Sequence, residues 1–428
     1  MKVKLAYGEE GLWVDLPDRN VTVVEAGYVP GVSAEDEAIR AALRAPSGTP
    51  PLRDLVTGDD TVAIVFSDLT RPQPREIMLA VMLEELSHVP REQIVLINAL
   101  GTHRPSTEGE LVEMLGPDLV ENYRAVQHDA WDQQGMVHVG ETSRGNQAFV
   151  NGEYMRASVR ILTGFIEPHL FAGFSGGPKA VLPGVANART VQANHGATMI
   201  GDVCATWGVT EGNPVWEEMR EVAQMTSPAF ILNVAQNRDK QITGVFAGEM
   251  LEAHRAGTEF VASNARVAVP APFDIVITTS SGYPLDLNLY QSVKGISAAA
   301  QVVKQGGSIV VAAECREGLP DYGGFAEVLS MASSPDELLA LINSDGFARQ
   351  DQWDVQILAQ LLKKAQVYVK SSYLDPEAVR QAMLEPCESV EATVAMLVER
   401  YGQDARICVL PDGPMTIPYL TDDMPSER

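Results

Sequence analysis

The feature that most constrains this chain is the recurrence of short, mostly apolar runs that alternate with longer helical stretches. Thr61 to Phe66 (TVAIVF), Gln93 to Ala99 (QIVLINA) and Val159 to Gly164 (VRILTG) are short and lack alternation, which is how strands buried on both faces read. Between the first two, Pro74 to Leu86 opens with a proline, harmless in a first turn where the missing N–H has no helical partner anyway. Ser106 to Leu115 follows the second run behind a capping Ser or Thr.

The pattern restarts after Pro270-Ala271-Pro272, which reads as a unit boundary. Strands are expected at Asp274–Thr279, Ser308–Ala313, Gln366–Ser371 and Arg406–Leu410, with helices at Leu289–Lys304, within Gly324–Ala365, and at Pro376–Leu384 and Ser389–Tyr401. Strands alternating with helices predict parallel pairing by right-handed crossovers. The expected fold is two α/β domains with parallel or mixed sheets, one over 1–268 and a second over 272–399.

With 32 basic and 57 acidic side chains in 428 residues, the net charge is −25. That excess argues against nucleic acid or an anionic membrane as the main partner, because both require a basic face. An anionic substrate must instead be caught by a few locally placed cations. Four scattered cysteines form no CxxC pair, and the amino terminus turns acidic before an apolar leader can develop. A cytoplasmic location is the expectation, with no membrane-spanning segment.

Unusual residues cluster where open α/β sheets place ligands, just beyond strand carboxyl ends. Ser67-Asp68-Leu69-Thr70-Arg71-Pro72 puts an acid and an arginine on one loop, as either an ordinary ion pair or an anion site. Gly101-Thr102-His103-Arg104-Pro105 puts a histidine beside a glycine after the next run. The richest stretch, Glu167-Pro168-His169-Leu170-Phe171-Ala172-Gly173-Phe174-Ser175-Gly176-Gly177-Pro178-Lys179, could cradle an anion on its glycine-flanked amides. Its spacing is not that of a P-loop, and Lys179 could pair with phosphate or carry a covalent cofactor. His195 follows in Asn194-His195, and Tyr290-Gln291-Ser292-Val293-Lys294 opens a helix in the second unit. Each piece alone has a bland reading as a capped or solvated residue; together they are far harder to assign to chance. His88, His128, His138 and His254 lie in ordinary polar contexts and are read as structural.

These motifs, in this order and over most of the chain, resemble the lactate racemase family, whose members use a nickel-pincer nucleotide. The resemblance implies that Lys179 anchors the cofactor through a thioamide and that His195 is the protein's nickel ligand. It implies that Asp68, Thr70, Arg71, Ser175, Gly176 and Gly177 hold the nucleotide, and that His103 and His169 are the paired acid/base residues. Arg71, Tyr290, Gln291 and Lys294 would bind a small 2-hydroxy acid, with Trp353 near its side-chain end. The activity implied is D/L interconversion by hydride transfer, with cofactor-biosynthesis enzymes as the partners that load the site. The resemblance also implies that 1–268 is the cofactor-binding and catalytic unit, that 272–399 contributes substrate-binding residues with the cofactor in the cleft between the two, and that the last strand, around Arg406–Leu410 in the segment 400–428, returns to the amino-terminal unit. Two other classes remain open at this point: a metal hydrolase built on His103, His169 and His195, and a noncatalytic nickel- or nucleotide-binding protein.

Overall fold

The computed structural model describes residues 1–421. Two six-stranded sheets organise it. In the first, the order is Ile242–Gly248, Phe230–Gln236, Val159–Phe165, Val62–Ser67, Ile94–Ala99, Arg124–Gln127, parallel throughout except for the antiparallel edge strand Ile242–Gly248. In the second, entirely parallel, the order is Glu385–Pro386, Ala365–Lys370, Val303–Ala312, Phe273–Thr279, Ile407–Leu410, Val21–Val23.

The apolar runs form strands because both their faces are covered. Along Val62–Ser67, Ala63 and Val65 join a cluster shared with second-sheet residues such as Val276 and Val311. Val62, Ile64 and Phe66 face Met78 and Met82 of the helix Arg75–Glu85. The helix Glu108–Leu115 starts with a reciprocal capping box between Thr107 and Glu110, which satisfies two otherwise orphan amides.

Strand order reverses twice. In the first sheet the chain builds outward from Val62–Ser67 to one side and from Val159–Phe165 to the other, so the switch point lies between these neighbours. The loops leaving them carry Asp68 and Arg71, and Glu167 and His169. Such a point opens a crevice at the strand ends by topology alone.

Two expectations about the ends of the chain are corrected. Ile407–Leu410 does not return to the first sheet; it lies inside the second, between Phe273–Thr279 and Val21–Val23. Its four residues are all buried, so it needs a neighbour on each side, which an interior position supplies. A later return does occur, as Ile417–Leu420 pairs in parallel with Arg266–Val269; residues 422–428 lie outside the described part. The amino-terminal segment, expected in the first unit, packs on the second: Val3, Leu5, Val14 and Leu16 share a cluster with Ile275, Ile277 and Val310.

Candidate active site

Beyond the first switch point lies a cleft enclosing about 900 Å³ of non-atom space, part of it open to solvent. First-sheet loops form one wall and the start of helix Leu289–Ala300 with Trp353 and Asp354 forms the other. Every residue to which the resemblance gives a role lines this cleft except Thr70, which lines an adjoining recess, and Gly177. Contacts between the two units hold the walls in register: Arg104 Nη2 meets Glu317 Oε1 at 3.0 Å, and Gln350 Nε2 donates to Thr102 O at 2.7 Å.

Asp68 and His103 come from successive strand ends and meet directly, Nδ1 on Oδ2; the other carboxylate oxygen accepts from Thr70 Oγ1 at 2.8 Å. Burial pushes the Asp68 carboxyl up, but His103 and Arg71 outweigh it and hold the group below the usual carboxylate range. A carboxylate on Nδ1 fixes the tautomer that leaves His103 Nε2 as the acceptor. Arg71 Nη1 stands 3.8 Å from Glu167 Oε1 and has no hydrogen-bond partner although buried.

His169 is 4% exposed and lines the same cleft. The backbone amide of Ala172 donates to its Nδ1 at 3.3 Å, so the neutral ring carries its proton on Nε2, opposite to His103. Burial, reinforced by Lys179, Lys294 and Arg71, drives its pKa well below the usual value.

The glycine-rich loop is held from behind. Ser175 Oγ donates to Phe165 O and accepts from Glu167 N, while Gly177 N donates to Asn233 Oδ1 at 2.8 Å. His254 Nε2 donates to Ser175 O at 3.0 Å. The hydroxyls of Ser175 and Thr70 are thus occupied within the chain, and act on the site by shaping it. Lys179 projects over the Phe171 ring; burial, with Arg71 and Lys294 adding to it, lowers its pKa well below that of an ordinary lysine. An amine held neutral is a nucleophile.

His195 caps the helix Ala188–Asn194, with its ring edge-on to Phe171 and Trp353. Burial lowers its pKa to about 3, and its Nδ1 is buried without a partner. An enclosed, neutral, partly unsatisfied imidazole fits a soft or borderline metal ion. From the second unit, Asn288 caps the first turn and orients Gln291, whose Oε1 accepts from Lys294 Nζ at 2.7 Å. Burial, then Arg71, lowers Lys294 to about 7.

Several residues to which the sequence reading gave no role at the site belong to it. Asp354 lines the cleft, 4% exposed, and burial pushes its carboxyl up to about 7. Glu167 faces Arg71, and Asn233 and His254 hold the glycine-rich loop. Among the described residues, no group of three or more His, Cys, Asp or Glu side chains is arranged to hold a metal ion.

Family models for the lactate racemase N-terminal and C-terminal domains match residues 7–208 and 268–417. The chain belongs to the lactate racemase family. It is 36% identical to lactate racemases of Thermoanaerobacterium thermosaccharolyticum, over 96% of this chain and 97% of that one, and of Lactiplantibacillus plantarum, over 96% and 98%. The solved lactate racemase apoprotein of T. thermosaccharolyticum superposes with a TM-score of 0.89, covering 98% of this chain and all of that one. A Thermotoga maritima protein with 16% identity and a TM-score of 0.71, covering 92% of this chain, shares the fold. The two-unit α/β architecture expected from the sequence is that of the family.

Proposed function

We propose that this chain is an isomerase that interconverts the D and L forms of lactate or a closely related short 2-hydroxy acid, with a nickel-pincer nucleotide joined to Lys179. The observation that carries the reading is the convergence of His103 and His169 with the cations Arg71 and Lys294 on one enclosed cleft. An α-hydroxy carboxylate needs just these elements: a cation for the carboxylate and a proton-handling group for the hydroxyl on each face.

The residues fit the cofactor that the family resemblance implies. The neutralised Lys179 amine suits acylation, and the orphan His195 nitrogen suits nickel. When bound, the cofactor supplies an acceptor for the C2 hydride, so no carbanion has to form beside the carboxylate. Arg71 and Lys294 hold the substrate carboxylate, with Gln291 fixing the Lys294 ammonium. His103, oriented by Asp68, takes the hydroxyl proton at Nε2 and, as imidazolium, returns it to the oxygen when the hydride comes back, while neutral His169 steadies that oxygen with a hydrogen bond from its Nε2–H. Trp353 limits the space beyond C2, where a methyl group fits better than a second charged arm.

A three-histidine hydrolase is disfavoured because those histidines do not form a metal cluster, and a noncatalytic binder leaves the Asp68–His103 pair without a purpose. The loading partners are the cofactor-biosynthesis enzymes, and a cytoplasmic setting suits four free cysteines. Among the described residues no helix is long and apolar enough to cross a membrane.

The test is to co-express the chain with cofactor-making enzymes, then follow intact mass, nickel content and lactate racemisation in D₂O. The expected result is an adduct on Lys179, one nickel, and racemised product that keeps protium at C2. Deuterium entering C2 in step with racemisation overturns the hydride route, and adduct-bearing protein that racemises no 2-hydroxy acid overturns the activity.

A further inference from the structure

Two arginines, Arg71 and Arg75, follow the strand Val62–Ser67 at a spacing of four, and both are natural candidates for binding an anion. The structure separates them. Arg71 reaches the cleft with an unpartnered Nη1. Arg75 is turned inward, 6% exposed, and does not line the cleft. Its Nε donates to Ser67 O at 2.6 Å and its Nη1 to Gln73 O at 3.1 Å. Its Nη2 donates to Asp68 O and, at 2.6 Å, to Arg71 O.

We propose that Arg75 is a positioning residue: its guanidinium gathers the carbonyls of Ser67, Asp68, Arg71 and Gln73 and so fixes both the carboxylate that orients His103 and the cation that meets the substrate carboxylate. The inference rests on the roles given to His103 and Arg71 in the proposed function.

The chemistry is specific to arginine. A strand end that turns sharply leaves buried carbonyls without ladder partners, and each must find a donor. Guanidinium presents five N–H groups in a fixed plane, whereas an ammonium is a compact charge on a flexible stem. The placement runs against local preference, since a cation in the first turn of helix Arg75–Glu85 opposes the helix dipole. Burial also lowers its pKa to about 10, with Asp68 and Glu113 opposing that shift. The four carbonyls offset these costs. Gln73 completes the brace, accepting from Ser67 N at 2.9 Å and donating to Thr163 Oγ1 on the neighbouring strand at 2.9 Å.

The experiment compares R75K and R75M with the wild type in two settings. In cofactor-loaded enzyme, R75K is expected to lower kcat/KM at least tenfold, raise KM severalfold as Arg71 loses its anchor, and displace the pH profile of kcat as the Asp68–His103 contact loosens. In cofactor-free protein, the His103 ring resonances are expected to move in R75K while those of the exposed His88, bonded to Val56 O, do not. The Lys179 adduct and a melting temperature within a few degrees of the wild type are expected to remain. If R75M does not fold, R75K alone decides. Unchanged KM, pH profile and His103 resonances in R75K overturn the proposal, even if activity falls through lower stability. Should the loaded wild type fail to racemise any 2-hydroxy acid, the activity assignment fails, while the resonance comparison still tests the clamp.

Discussion

His103 Nδ1 bonds Asp68 Oδ2 across two loops that leave neighbouring parallel strands, Val62–Ser67 and Ile94–Ala99. The pairing is a product of register: Ser67 lies opposite Ala99, so the residues just beyond them emerge side by side. Thr70 secures the second carboxylate oxygen, and burial keeps water from competing. The imidazole is thereby held in one tautomer and one orientation before any substrate arrives.

Replacing Asp68 by Asn keeps the shape but lets the amide present either a donor or an acceptor to Nδ1. The expected result for D68N is a fall in kcat of at least ~10²-fold, the scale of positioned acid–base catalysis, with the Lys179 adduct retained. T70A, which leaves the pairing intact, is expected to cost ~10-fold or less. Steady-state racemisation by adduct-quantified protein checks both, and D68N within threefold of the wild type would remove His103 from the mechanism.

Gly177 has φ of +50°, and a Cβ there would stand 2.6 Å from the His254 ring. G177A combines a disfavoured backbone region with a collision against a buried side chain that is itself bonded to Ser175 O. A loss of ~2–4 kcal/mol in unfolding free energy is expected, along with a lower fraction of Lys179 carrying adduct. Denaturant titration and intact mass measure the two; a stability change under ~0.5 kcal/mol would show that the loop can move away.

The loops that carry the chemistry were legible because each follows an apolar run that can only be a buried strand, and strand ends in such sheets face a common crevice. Their supports were not. His254 sits in a helix among charged neighbours and looks solvated, yet its partner Ser175 is 79 residues away in sequence. Asn233 and Asp354 likewise have meaning only through Gly177 and Lys294. Arg75 resembles a second anion binder until its contacts with backbone carbonyls are seen. The short amino-terminal strands carry too little pattern to reveal that they join the second unit, because what selects them is distant in sequence: Val21–Val23 pairs with Ile407–Leu410, while Lys2–Leu5 and Leu12–Asp15 pair with each other and pack on Ile275, Ile277 and Val310.

Stability should fall in mild acid through buried neutral histidines. Burial lowers His128 and His254 to about 4, from an unperturbed 6.5. His128 uses both ring nitrogens, bonding Ala186 O through Nε2 and Asn151 Nδ2 through Nδ1, so a second proton would face a donor. The unfolded chain takes up that proton below pH ~6.5 and the folded chain does not until about 4, so stability present above 6.5 is lost between these values, by at most ~3 kcal/mol per histidine. H128Q should flatten the dependence of unfolding free energy on pH in this window. An equal slope in wild type and H128Q would show that His128 does not titrate on unfolding.

Lys179 and His195 are separable by experiment because their proposed roles differ in kind. Lys179 would hold the cofactor by a covalent bond, whereas His195 would supply one donor to a metal held mainly by the cofactor itself. His195 is also wedged between Phe171 and Trp353 at centroid distances of 5.1 and 4.9 Å, so its replacement should leave the pocket walls standing. H195A prepared with the loading enzymes is expected to show the adduct mass on Lys179 but nickel reduced at least ~10-fold, the scale on which lost metal-site contacts are felt. K179A should lose both adduct and nickel, and restoring a lysine nearby should not recover them. Both variants are expected to be inactive, so mass and metal content decide the matter. If H195A retains full nickel, the metal is held without this imidazole; if it lacks the adduct while remaining folded, His195 serves cofactor attachment instead.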